Sequence, residues 1–157
     1  MRELLTAMSP ERLERLYTDL PDGARMALDA VIARVLNSRV ETVRRRPLAM
    51  KIKALRAWFQ RSKDDDLALD VLRGYFLGPR QQLVTDFLDA TGVAHEEGQV
   101  QDDDAAPDEG KVPDAVKSLC DKHDPDDVRL YLEVATRQWH ESQALKDALA
   151  GLQGQAA

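Results

Sequence analysis

Apolar residues recur along most of this chain at intervals of three and four, the spacing that lines one face of an α-helix. Leu13, Leu16, Tyr17 and Leu20 follow Ser9-Pro10-Glu11, which combines an N-cap serine, a proline at N1 and a first-turn acid. Pro21-Asp22-Gly23 interrupts that pattern. A second helix is predicted from about 24 to 38, with Leu28, Val31, Ile32, Val35 and Leu36 on one face. Behind Pro47, Leu48, Ile52, Leu55 and Phe59 fall on a narrow arc, with Lys51 and Arg56 flanking it and Lys53 and Arg61 facing away. The flanking cations can lay their methylene stems along such a stripe while their charges stay wet.

Residues 65–77 place Leu67, Leu69, Val71, Leu72, Tyr75, Phe76 and Leu77 around nearly the whole circumference, which predicts a buried central helix. Exposure of Leu69, Phe76 or Leu77 would contradict that assignment. Asp64, Asp65 and Asp66 suit its cap and first turn. Gly78-Pro79 ends it and opens another helix over about 79–91, burying Leu83, Val84, Phe87 and Leu88 and closing at a C′ residue, Gly92.

The pattern breaks between 93 and 111, where seven residues are Asp or Glu and only Lys111 is basic. Val93 and Val100, bracketing Glu97-Gly98, fit a tiny β-hairpin near 93–100, and 101–111 reads as a mobile acidic linker. Periodicity resumes with Pro113 at N1 and Val112, Val116 and Leu119. Asp124 to Asp127 then caps a helix through Val128, Leu132, Ala135 and Trp139, and a last helix carries Leu145, Ala148, Leu149 and Leu152 before a fraying tail from Gly151. The expected fold is all-α, an orthogonal or antiparallel bundle of about seven helices. It comprises an N-terminal block, 1–92, around 65–77, the acidic linker 93–111, and a C-terminal block, 112–157, docking on the first as one compact domain.

Composition adds that 43% hydrophobic and 32% charged residues make a core rather than a disordered chain. The single cysteine, Cys120, excludes an internal disulfide. The first sixteen residues carry acids and no signal-like apolar run, and no stretch reaches the roughly 18 apolar residues of a membrane span. The expected location is cytoplasmic, with no membrane partner. Nothing in the pattern specifies an oligomeric state.

Charge changes the picture more. Residues 39–63 hold nine Lys/Arg against Glu41 alone, a net +8 inside a chain of net -6, so the remainder sums to -14. Arg44, Arg45 and Arg46 precede Pro47, which disfavours helical angles at Arg46, and they read as an exposed basic corner. With Lys51, Lys53 and Arg61 they are the candidate contacts for an anionic partner. The competing reading is a solvated face that pairs with acids of the same chain, 64–66 or 96–109. The linker is then expected to shield Arg44–Arg46, Lys51 and Lys53 as an electrostatic competitor. A sequence pI near 5.1 disfavours a dedicated nucleic-acid binder, and Phe59 beside Trp58 lies on the core stripe rather than on a base-stacking platform.

Other chemistry finds little support in the residues. A helix-turn-helix over 83–100 would need a recognition helix containing Glu96, Glu97 and Gly98, which repel phosphate or weaken the helix. Asp102, Asp103, Asp104, Asp108 and Glu109 match no calcium-loop spacing. His95, His123 and His140 are scattered, and a Cys120–His123 nucleophile pair has no orienting acid or oxyanion donor in sight. No cofactor, metal or catalytic residue is therefore assigned. The expected function is a non-catalytic helical protein-interaction or regulatory module with a protein partner. The alternative is a nucleic-acid-associated accessory protein using 39–63. A small helical enzyme comes third, and it would need a pocket where titratable groups converge.

Overall fold

Ten α-helices and one two-stranded antiparallel sheet make up residues 1–63 and 65–155, the residues the computed structural model describes. The protein is all-α with one small hairpin. It divides into two compact units, Met1–Pro79 and Arg80–Ala157. The first contains α1 (Arg2–Ala7), α2 (Pro10–Asp19), α3 (Asp22–Val35), α4 (Val40–Arg44), α5 (Leu48–Arg61) and α6 (Asp66–Leu77). The second contains α7 (Gln81–Thr91), β1 (His95–Glu96), β2 (Gln99–Val100), α8 (Val112–Lys122), α9 (Pro125–Gln138) and α10 (Gln143–Gln155). The boundary falls before α7 rather than after Gly92, because α7 packs on α8.

Three caps read from the sequence form as expected, whereas Pro79 does not open the next helix, since α7 begins at Gln81 behind Arg80. Ser9 Oγ accepts the Arg12 N–H at 3.2 Å to start α2, and Asp124 Oδ1 accepts the Asp126 N–H at 2.9 Å to start α9. Gly92 closes α7 at φ 77°, where Val93 N–H reaches Leu88 O and Gly92 N–H reaches Asp89 O, the paired bonds of a Schellman motif. In the hairpin His95 faces Val100, and the turn residues Glu97 and Gly98 take φ 52° and 88°, the two positive angles of a type I′ turn.

In the first unit α5 is the hub. Ile52, Ala54, Leu55 and Phe59 are buried, and the helix packs on α1, α2 and α3. The helix over 66–77 is not apolar all round in its surroundings. Ala68, Val71, Leu72, Tyr75 and Phe76 are buried, while Leu69 is 36% exposed and Leu67 and Leu77 are half-buried. It is an ordinary one-faced helix, and the central position belongs to α5. Val35, in the last turn of α3, is likewise 40% exposed. Asp65 makes no cap bond to α6 and instead accepts the Arg2 N–H at 2.6 Å; Asp64 lies outside the described residues.

Two short helices, α1 and α4, escape the periodic reading because each buries a single side chain, Leu5 or Val43. The acidic linker is also more structured than its composition implies. Trp139 Nε1–H donates to Ala105 O at 2.9 Å, Asp108 N–H to Thr91 O at 3.1 Å, and Ala144 N–H to Glu109 Oε2 at 2.9 Å. Pro107 is buried. Residues 105–111 are thus a strap pinned to the second unit rather than a mobile linker. α10 also runs on through Gly151 to Gln155 instead of fraying there; Ala156 and Ala157 lie outside the described residues.

Candidate functional site

Lys51 sits one residue before Ile52, at the edge of the α5 stripe, so packing the stripe carries its stem inward. The residue is 9% exposed, and its ammonium donates to the Arg44 carbonyl at 3.2 Å and to Tyr17 Oη at 3.5 Å. It also stands 5.5 Å from the centre of the Tyr17 ring, within cation–π range. Tyr17 Oη–H in turn donates to Asp29 Oδ1 at 2.5 Å. Tyr17 and Asp29 are both 4% exposed. A chain of contacts thus runs from α3 through α2 and α5 to the C-terminal end of α4.

The electrostatics of this chain follow from its burial. Burial pushes the Tyr17 phenol well above its usual range, and the hydrogen bond to Asp29 and that carboxylate's charge push the same way, against Arg25 and Arg44. At neutral pH Tyr17 is therefore a fixed neutral donor to Asp29. Among the described residues no carboxylate lies within ion-pair distance of the Lys51 ammonium, since the Tyr17 hydroxyl stands between it and Asp29. Two of its three N–H groups have protein acceptors.

An open cleft of about 610 Å³ lies over this chain. Its walls add Arg25, Asp22 and Met26 of α3, Arg44 of α4 and Leu48 of α5. Arg25 is paired with Asp22, and Met26 is 54% exposed. Among the described residues of the first unit, Arg44, Arg45 and Arg46 have no side-chain hydrogen-bond or ion-pair partner.

Of the basic residues picked from sequence, Arg44, Arg45, Arg46, Lys53 and Arg61 are exposed, while Lys51 is buried. Only Arg44 and Lys51 meet at the cleft. Phe59 is fully buried and offers no free stacking face, while half-buried Trp58 makes a T-shaped contact with it at 5.2 Å. Tyr17 and Asp29 were not among the sequence candidates. Their signal was an acid at the margin of the apolar face of α3 and a lysine at the margin of the next long helix, two charges each set where burial is expected. Dividing the charge by unit sharpens the contrast: residues 1–79 hold 15 Lys/Arg and 11 Asp/Glu, net +4, and residues 80–157 hold 7 and 17, net -10.

The other candidates resolve differently. His123 Nε2 lies 2.8 Å from Asp86 Oδ2 and makes no hydrogen bond to Cys120 among the described residues. Burial, helped by the charge of Asp121, pushes the Cys120 thiol up, away from the thiolate a nucleophile needs. His95 accepts the Gly98 N–H at Nδ1, which leaves Nε2–H to donate to Asp89 and makes the residue a brace for the hairpin. Among the described residues no three His, Cys, Asp or Glu side chains converge to hold a metal ion. No helix is long and apolar enough to cross a membrane among those residues. No protein-family model, curated protein or solved structure matches the chain.

Proposed function

We propose that the first unit is a non-catalytic protein-interaction module, and that its basic corner at Arg44, Arg45 and Arg46 receives an acidic segment of a partner protein. One observation carries this reading: buried Lys51, rooted in the hub helix, holds the Arg44 carbonyl at 3.2 Å. Three guanidinium groups, unpaired among the described residues, are thereby presented from an anchored backbone. Anchoring lowers the ordering cost of binding and favours a recognition surface over a merely solvated one. The net +4 of this unit supplies attraction for anions that the chain's overall acidity conceals.

The apolar groups beside the arginines favour a protein over a nucleic acid. Met26, which lines the cleft with Arg44, is 54% exposed, and such a side chain fits an acidic peptide that also carries apolar residues. The convergence of Tyr17, Asp29 and Lys51 invites the enzyme reading, but a catalytic acid or base works best with a pKa near the operating pH. Tyr17 is pushed the other way.

The test measures binding of the whole chain to a poly-glutamate peptide, to a peptide of the same length in poly-glutamine, and to a random DNA duplex. Poly-glutamate should bind and weaken with salt, and R44Q/R45Q/R46Q should lose roughly 10-fold or more, from about 0.5 kcal/mol per exposed pair. Tighter, arginine-dependent binding to the duplex would move the function to nucleic acid. Equal binding of the two peptides would sink the reading.

A further inference from the structure

We infer that the cleft over Tyr17 and Lys51 is a carboxylate subsite for an acidic side chain flanked by an apolar one. The inference rests on the proposed acidic partner and deepens it. Lys51 is a buried cation with no carboxylate at ion-pair distance among the described residues, and its link to Asp29 runs through the Tyr17 hydroxyl. A buried charge without a direct counter-ion is costly, and one of its three N–H groups has no acceptor among the described residues. A carboxylate entering the cleft would accept that donor and neutralise the charge.

The cleft walls fit the same ligand. Arg44 brings a guanidinium with no partner in the described first unit, and a planar fork of this kind matches a carboxylate in two parallel hydrogen bonds. Asp22 and Asp29 are already engaged, by Arg25 and Tyr17. Among the polar wall groups this leaves Arg44 and Lys51 as the charges free to act on a ligand. Met26 and Leu48 line the same space and offer apolar surface to the ligand's hydrocarbon part. At about 610 Å³ the cleft holds a side chain and its neighbour rather than a folded domain.

Hexanoate, a carboxylate on a short apolar chain, is the probe, and hexanol is its neutral match. Titrated into the full chain under NMR, hexanoate should produce saturable shifts at the Tyr17 ring, the Met26 methyl and the Arg44 side chain. Hexanol should bind at least about 10-fold more weakly, since a hydrogen-bonded charge is lost. R44Q should weaken hexanoate by a similar factor with its backbone spectrum otherwise unchanged, and K51M is the second variant. R45Q/R46Q, which lie outside the cleft lining, should keep hexanoate binding while losing poly-glutamate. Poly-glutamate binding without saturable hexanoate shifts overturns the subsite and leaves the basic corner standing. Hexanoate binding without poly-glutamate binding upholds the subsite and overturns the partner reading. Equal binding of hexanol overturns the carboxylate assignment.

Discussion

Replacing Tyr17 with Phe deletes one oxygen from the middle of the buried chain of contacts and leaves the ring in place. Asp29, 4% exposed, then loses the donor 2.5 Å away, and Lys51 loses one of its two acceptors. Leaving a buried polar group unsatisfied costs about 1–3 kcal/mol, and more for a charged one, so about 2–3 kcal/mol is expected at pH 7. That is a large share of a stability of about 5–15 kcal/mol. The pH dependence carries a sign as well. The folded phenol has its pKa raised above 10.0, so above pH ~10 the unfolded chain releases the proton that the native state keeps, and stability falls as pH rises. The slope approaches about 1.4 kcal/mol per pH unit. The variant lacks this loss, so its deficit against wild type should shrink by roughly that amount by pH 11. Urea titrations followed by the indole N–H signals separate the units, since Trp58 lies in the first and Trp139 in the second. An unchanged Trp58 transition at pH 7, or a deficit that stays constant to pH 11, would refute the reasoning.

Gly78→Ala should destabilise the first unit by about 1–3 kcal/mol. A Cβ there would stand 2.7 Å from the Gly74 carbonyl and 2.8 Å from Pro21 Cγ, and an unshifted Trp58 midpoint would show that the chain yields instead. Arg80→Gln should cost the second unit about 1.5–3 kcal/mol because it removes the charge-assisted hydrogen bond from Arg80 Nε, at 2.5 Å, to the buried Asp127 carboxylate; the Trp139 transition reads this directly. Burial works to raise the Asp86 pKa, but hydrogen bonds from Gln82 and His123 and the charge of Lys122 outweigh it and hold the carboxyl below its usual 3.8. Its contribution is therefore present above that value and lost as pH falls through the folded pKa. The deficit of Asp86→Asn should accordingly be smaller at pH 3 than at pH 6, and equal deficits would contradict the linkage. Trp139→Phe removes the hydrogen bond to Ala105 O and should raise protease cleavage within 101–106, with unchanged cleavage showing that the strap is held elsewhere.

The elements legible in the residues are those whose cause is local. Ser9, Asp124 and Gly92 act through their own turn of helix, and Glu97-Gly98 through two backbone angles, so the α2 and α9 starts, the α7 stop and the hairpin follow from short stretches of chain. The α5 stripe, with Ile52, Leu55 and Phe59 buried, follows from periodicity over the twelve residues from Leu48 to Phe59. Exposure of the Arg44–Arg46 corner was legible too, because three charges before a proline have no reason to be inside.

What needed the fold is everything set by which faces meet. An apolar circumference predicts burial only if neighbours cover every side, and Leu69 has too few. The acids of 101–111 read as linker, yet Ala105, Asp108 and Glu109 find partners at Trp139, Thr91 and Ala144, residues far along the chain. Lys51 and Asp29 were visible as charges at the margins of two apolar faces. Only packing brings both to one tyrosine hydroxyl, because hydrophobic burial fixes how far each helix is pressed inward and leaves its marginal polar groups to find each other in the space that remains.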